Sequence, residues 1–186
     1  KPVFIIWNYS EAMDKMAKFW DEQAKENGFN GMEIIYRYSN KISVPKTSNV
    51  FYYEPAHSVW DRLENRVRNK IKRIVKLDNA IKQYNYDIAW KHLLNDAERV
   101  DSRTYLGAFV DYDDSPRRAN RGQRLKGASP EKFEKYLTQL LKIANEKDKE
   151  YIFLTAWNEW GEGAYLEPDE TNHYAYLEAV LKATTR

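Results

Sequence analysis

The chain has no cysteine, which excludes disulfides, a thiolate zinc site and a cysteine nucleophile, and fits a reducing compartment such as the cytoplasm. Neither sign of charge dominates. Thirty Lys and Arg stand against 28 Asp and Glu, so no global field asks for nucleic acid or another acidic polymer. Long apolar runs are also missing: the longest, Pro2 to Trp7, falls far short of the roughly 20 residues of a spanning helix, and no signal-peptide pattern opens the chain. Glycine is sparse, with 7 in 186 residues, and neither GxGxxG nor a P-loop occurs. His57, His92 and His173 lie far apart without ligand spacing, so no metal or cofactor is expected from them.

Aromatic residues are plentiful, with 6 Trp, 14 Tyr and 7 Phe, a composition that excludes a disordered or low-complexity chain. The length suits a single domain spanning 1–186. An apolar strand begins almost at the first residue with no Met before it, the pattern expected of a piece of a longer polypeptide.

Read for period, strands and helices alternate. Strands are predicted at Val3–Trp7, Met32–Tyr38, Thr104–Val110 and Tyr151–Trp157. A helix from about Glu11 to Asn27 carries Met13, Ala17, Trp20 and Ala24 on one face, with Ser10 to cap it and Gly28 to end it. Asn40 to Asn49 reads as loop. A long helical region from about Ser58 to Lys76 has the stripe Trp60, Leu63, Val67, Ile71 and Ile74, and a shorter helix holds Ala89, Leu93 and Leu94. Ser129-Pro130-Glu131 starts a helix whose apolar face is Phe133, Tyr136, Leu137, Leu140, Leu141 and Ala144, and a last helix runs from about Asn172 to Ala183.

Apolar strands each followed by a helix imply parallel βαβ units. The turns after the strands are aromatic and charged: Asn8-Tyr9-Ser10, Arg37-Tyr38-Ser39, Asp111-Tyr112-Asp113 and Asn158-Glu159-Trp160. Polar clusters at the carboxyl ends of parallel strands are where a (β/α)₈ barrel keeps its site, and a closed barrel needs eight strands and roughly 250 residues. The expected fold is therefore α/β, half of a (β/α)₈ TIM-like barrel with about four parallel strands and flanking helices.

Just past the last strand stand Asn158, Glu159 and Glu162, with Gly161 and Gly163 to fold the chain back and bring the two carboxylates together. Two such carboxylates repel, so one is expected to hold its proton near neutral pH, leaving an acid beside a base as glycosidic chemistry requires. Trp157, Trp160 and Tyr165 offer faces on which sugar rings can stack.

The string Asn158-Glu-Trp-Gly-Glu-Gly163 followed by Leu166-Glu-Pro168 resembles the final-strand motif of WbsX-type glycosyltransferase-like proteins. These are similar to the endo-α-mannosidases of glycoside hydrolase family 99, a (β/α)₈ barrel family. Tyr112-Asp-Asp-Ser-Pro-Arg-Arg118, then Ser129-Pro-Glu-Lys-Phe133, resembles the strand-seven segment, where the family more often reads Trp-Asp-Asn-Thr-Pro-Arg. These motifs cover roughly the last 80 residues, and the first 100 match in layout, as strands five and six with their helices, so the resemblance implies the C-terminal half of a (β/α)₈ barrel. The resemblance implies that Glu159 deprotonates a sugar 2-hydroxyl, which attacks its own anomeric carbon to give an epoxide-like intermediate. It implies that Glu162 serves as general acid and then base. Asn158 would orient the first carboxylate or a hydroxyl, Asp113 and Arg117 would line the rim, and Glu167 would support the loop. The implied role is glycosyl transfer or glycosidic hydrolysis in bacterial surface polysaccharide (lipopolysaccharide or O-antigen) biosynthesis, on a glycan substrate, in the cytoplasm.

Two other readings stay open. Asp111-Tyr112-Asp113 matches the Asp-x-Asp pattern of metal-dependent nucleotide-sugar transferases, whose oxygen ligands suit Mg²⁺ or Mn²⁺, and half a barrel could bind a glycan without turning it over. Between Asp61 and Lys76 seven basic residues stand against two acidic ones. Such a helix can dock on an anionic membrane, although the preferred reading is a solvated outer barrel face. A half-barrel exposes two sheet edges and its inner face, including Phe4, Ile34 or Ile35, Leu106 or Ala108, and Phe153 or Thr155. The isolated chain is thus expected to pair with its missing N-terminal half or with itself as a homodimer.

Overall fold

The computed structural model describes residues 1–40, 43–75 and 80–185. It is built from β1 (Val3–Ile6), α1 (Glu11–Glu26), β2 (Glu33–Arg37), β3 (Asn49–Phe51), α2 (Leu63–Ile74), β4 (Lys82–Asn85), α3 (Tyr86–Ala97), β5 (Thr104–Phe109), the four-residue α4 (Ser115–Arg118), β6 (Gln123–Lys126), α5 (Pro130–Glu146), β7 (Ile152–Thr155), β8 (Asn158–Glu159), β9 (Ala164–Tyr165) and α6 (Ala175–Thr184).

β1, β2, β3, β5 and β7 form one parallel sheet in that order. The sheet curls into a half-barrel with helices on its convex side. Phe51 and Phe153 are two strands apart, yet their rings meet at 5.1 Å across Gly107, so this face is the concave one, shared with Tyr105. Gly107 is required here: a Cβ would stand 1.9 Å from the Tyr52 carbonyl oxygen. On the convex side Phe4 packs edge-on against Trp20 of α1 at 4.7 Å, and Tyr36 reaches Asp14. Phe4 therefore points outward, not inward, because its strand alternates from Val3, Ile5 and Trp7. The larger core lies under α3, α5 and α6, with Trp90 set between Phe109 and Tyr136.

The helix signals act as read. Ser10 accepts from the Met13 N–H and Ser129 from the Lys132 N–H, each satisfying an amide the helix leaves unpaired. α3 is longer than its apolar triad suggested, and α6 begins later, because Asp169 gathers the Thr171 and Asn172 amides into a turn first.

Other findings differ from expectation. The sheet has five strands, since Asn49–Phe51 at the end of the expected loop pairs between β2 and β5; with β7 taken as a barrel's eighth strand, β1 and β2 stand fourth and fifth. A second parallel pair, β4 with β6, sits beyond the carboxyl ends. The long helix is broken: Ala56–Trp60 is a π-helical segment whose Trp60 packs on Tyr112, and α2 follows with its apolar stripe uncovered. Lys76, the expected end of that helix, and Lys41 and Ile42 of the expected loop lie outside the described residues.

A candidate carbohydrate site at the carboxyl ends of the strands

β7 ends at Thr155, and a cis peptide bond joins Thr155 to Ala156. The chain then turns through the hairpin β8–β9, pairing Asn158 with Tyr165 and Glu159 with Ala164. Gly163 closes the turn at φ +58°, its N–H donating to the Trp160 carbonyl at 3.1 Å. An added Cβ would also crowd the Asp113 backbone at 3.1 Å, so this position needs glycine twice over. The Asp113 N–H donates to the Glu162 carbonyl oxygen at 2.7 Å, fixing the hairpin to the segment that leaves β5.

That segment is braced from below. Asp114 is fully buried; it accepts from the Gln123 N–H at 2.6 Å and the Tyr112 hydroxyl at 3.2 Å, and pairs with Arg118 at 3.1 Å. The two positions that depart from the resembling family's usual residues, Tyr112 and Asp114, thus bond to each other. Asp113 accepts from the Ser115 N–H at 2.9 Å, and Arg117 Nη2 meets Glu162 Oε1 at 2.6 Å.

The charges of Glu159 and Glu162 both bear on a third group. The Tyr53 phenol has its pKa raised, first by burial and then by the charges of Glu162 and Glu159, against an opposing pull from Arg37. Tyr53 lies edge-on to Trp7 at 4.6 Å. Arg37 covers the Trp7 ring at 4.3 Å and donates to the Trp7 carbonyl and the Asn8 side chain. The rim therefore includes Trp7, Arg37 and Tyr53, none of which the sequence reading selects as a site residue. Arg37 and Trp7 are signalled by their place at strand ends, whereas Tyr53 follows the three-residue β3, which gives no signal.

At Asp111 burial pushes the carboxyl up to about 6, with the Tyr112 N–H opposing the rise and Asp113 adding to it. Of the expected sugar platforms, Trp157 and Trp160 are exposed. Tyr165 is stacked on Trp160 at 3.8 Å and donates to Asp169, so one of its faces is already covered. Trp160 Nε1 donates to Glu167 at 2.5 Å. Asn158 is exposed beside Glu159. Among the described residues no three His, Asp or Glu side chains gather in a metal-binding arrangement. No described helix is long and apolar enough to cross a membrane.

The model of the family described as Glycosyltransferase WbsX matches residues 1–180. Two curated relatives, each described as "Uncharacterized protein WxcX", come from Xanthomonas campestris pv. campestris strains B100 and ATCC 33913. Each is 37% identical over 103 residues, covering 52% of this chain and 15% of the relative. The chain thus spans only a small part of those proteins' length. No solved structure matches it.

Proposed function

Because this chain belongs to the WbsX glycosyltransferase family, we propose that its carboxyl-end rim makes or breaks a glycosidic bond in the building of a bacterial surface polysaccharide. Glu159 takes the proton of a sugar 2-hydroxyl, whose oxygen bonds to its own anomeric carbon. The bond to the leaving oxygen breaks as Glu162 delivers a proton to it. Glu162 then takes a proton from the acceptor, water or a sugar hydroxyl, which opens the epoxide-like ring and returns the 2-hydroxyl its proton from Glu159. Trp157 and the open face of Trp160 carry sugar rings, Asn158 orients a hydroxyl, Tyr165 backs Trp160, and Asp113 and Arg117 hold the hairpin that carries the pair.

What supports the reading is the anchoring of the hairpin that carries Glu159 and Glu162: the Asp113 N–H donates to the Glu162 carbonyl oxygen at 2.7 Å and Arg117 meets the Glu162 carboxyl at 2.6 Å, both from the segment that leaves β5, and the charges of both carboxylates and of Arg37 of β2 reach the Tyr53 phenol. In this reading acid and base work side by side on one rim, the arrangement glycosyl chemistry needs. Arg117 is half exposed on its ion pair with Glu162, so an entering sugar can displace it and meet the carboxyl.

The test is Glu162→Gln in the natural full-length polypeptide. Turnover should fall by about 10²–10⁴-fold, with partial sparing of a substrate whose leaving group needs no proton. Wild-type rates on both substrates would refute the assignment. Glycan binding without turnover by the wild-type polypeptide would instead make this a binding module.

A further inference from the structure

α2 is attached to the rest of the chain by the wrong face for a core helix. Its polar side docks: the Asn65 amide donates to the Val59 carbonyl at 2.7 Å, the Asn69 amide to the Tyr84 hydroxyl at 3.1 Å, and the Arg68 guanidinium lies 5.2 Å above the Tyr84 ring. Leu63, Val67, Ile71 and Ile74 recur at three and four residues on the roughly opposite side. They are 70, 47, 55 and 68% exposed. A surface helix ordinarily turns such a stripe to the core.

The same helix is strongly basic, with five Lys and Arg against one Glu in a chain whose net charge is only +2. Arg66, Lys70, Lys72 and Arg73 have no ion-pair partner among the described residues. Arg66, Lys70 and Arg73 border the stripe along one edge by the helical period. A second copy of this surface would bring like charges together across a two-fold axis. A surface that takes an apolar stripe and supplies negative charge along its whole length suits both features at once.

The position of α2 gives the contact a direction. The chain leaves the sheet at the carboxyl end of β3 and returns where α3 starts. There the Tyr86 hydroxyl donates to the carbonyl of Val110, just past β5, at 2.8 Å. α2 therefore belongs to an excursion that begins and ends on the side of the sheet carrying Glu159 and Glu162.

We propose that α2 docks this protein on an anionic lipid bilayer. Leu63, Val67, Ile71 and Ile74 enter the headgroup boundary while Arg66, Lys70 and Arg73 meet lipid phosphates. Docking by this helix turns the rim's end of the half-barrel toward the bilayer.

The experiment is flotation of the natural full-length polypeptide with vesicles of phosphatidylcholine alone or with about 30% phosphatidylglycerol. Each basic residue near an anionic surface strengthens binding about five-fold, so the expected preference for the anionic vesicles is at least about ten-fold and falls as salt rises. Arg66→Glu with Lys70→Glu, and separately Ile71→Asp with Ile74→Asp, should each remove at least about ten-fold of the binding. All four side chains are on the open side of the helix, and circular dichroism checks that the fold is kept. If a reversal variant unfolds, Arg66→Gln with Lys70→Gln should still flatten the salt dependence. No flotation, equal flotation with neutral vesicles, or flotation unmoved by every α2 variant would overturn the proposal. So would an oligomer in sedimentation that the Ile71 and Ile74 variant dissociates while vesicles go unbound, since a second copy would then cover the stripe.

Discussion

Replacing Glu54 by glutamine should remove a pH dependence of stability that the wild-type chain carries. The Glu54 carboxyl is fully buried behind Gly107, and one of its oxygens accepts both the N–H and the hydroxyl of Ser58. Burial pushes its pKa from the ordinary 4.5 up to about 8, with the Ser58 hydrogen bonds opposing the rise. Below the lower value folded and unfolded chains both keep the proton, and this group adds no pH dependence. As pH rises from 4.5 toward 8 the unfolded chain releases its proton while the folded chain retains it. Folding is then weakened by about 1.4 kcal/mol per pH unit. Above the folded value both states are ionised, and the accumulated loss levels off at about 5 kcal/mol as an order of magnitude. Glutamine keeps the shape and the acceptor oxygen for Ser58 without a charge to release. Urea unfolding of both proteins at about pH 5, 6.5 and 8.5 tests this, with unchanged m-values confirming the comparison. The stabilities should nearly coincide at the lowest pH and separate steadily, until the variant is several kcal/mol more stable at the highest. Taking the difference cancels Asp111, whose raised value has the same sign of effect. Parallel curves across the range would refute the reasoning.

A 2-deoxy substrate should bind to the natural full-length polypeptide and fail to react, read by isothermal titration beside product analysis; ordinary turnover would mean direct displacement by a carboxylate or acceptor. Gly107→Ala should lower the urea midpoint by the equivalent of about 3 kcal/mol or more, because the clash is with backbone that cannot give way. Gly161→Ala, with nothing within 4 Å of the added carbon, should stay within about 0.5 kcal/mol of wild type. This chain should sediment as a dimer or larger at micromolar concentration, since β1 and β7 are sheet edges without a partner strand among the described residues, Val3, Phe4 and Ile5 are exposed, and a groove of about 710 Å³ beside β7 is lined by Leu137, Leu141, Ile152 and Leu154. A monomer under those conditions would mean the edges are satisfied within one chain.

The legible strands are those whose apolar runs outweigh their surroundings. β2 and β5 bury apolar residues in the core and show it in composition, and β1 and β7, although more exposed, are as apolar in sequence. β3 is three residues long and follows Pro45, Lys46, Thr47 and Ser48, so local chemistry says loop and only the pairing with β2 and β5 makes it strand. β4 and β6 read Lys-Gln-Tyr-Asn and Gln-Arg-Leu-Lys, with one buried apolar residue each, too little for any period to appear. α5 is fully legible because cap, first-turn proline and a continuous buried face all agree. α2 has the helical period that its stripe predicts, yet the stripe faces outward. Period establishes that a helix has two faces; what covers each face is decided by the rest of the fold.

The rim divides in the same way. The hairpin residues are neighbours in sequence, so a local motif can carry them. Tyr53 and Arg37 join them only through closure of the sheet, in which β2, β3 and β5 lie between β1 and β7. The bracing of the rim is equally non-local. Asn69 of α2 bonds to Tyr84 of β4, and Tyr84 to Gln123 of β6. The Gln123 N–H then reaches Asp114, and the preceding residue, Asp113, holds the Glu162 backbone. The basic helix and the carboxylate pair are thus joined through one run of hydrogen bonds carried by the β4–β6 ribbon. Each member of that run comes from a different element, so no short motif could announce it, and it exists only once the ribbon has formed over the carboxyl ends of the sheet.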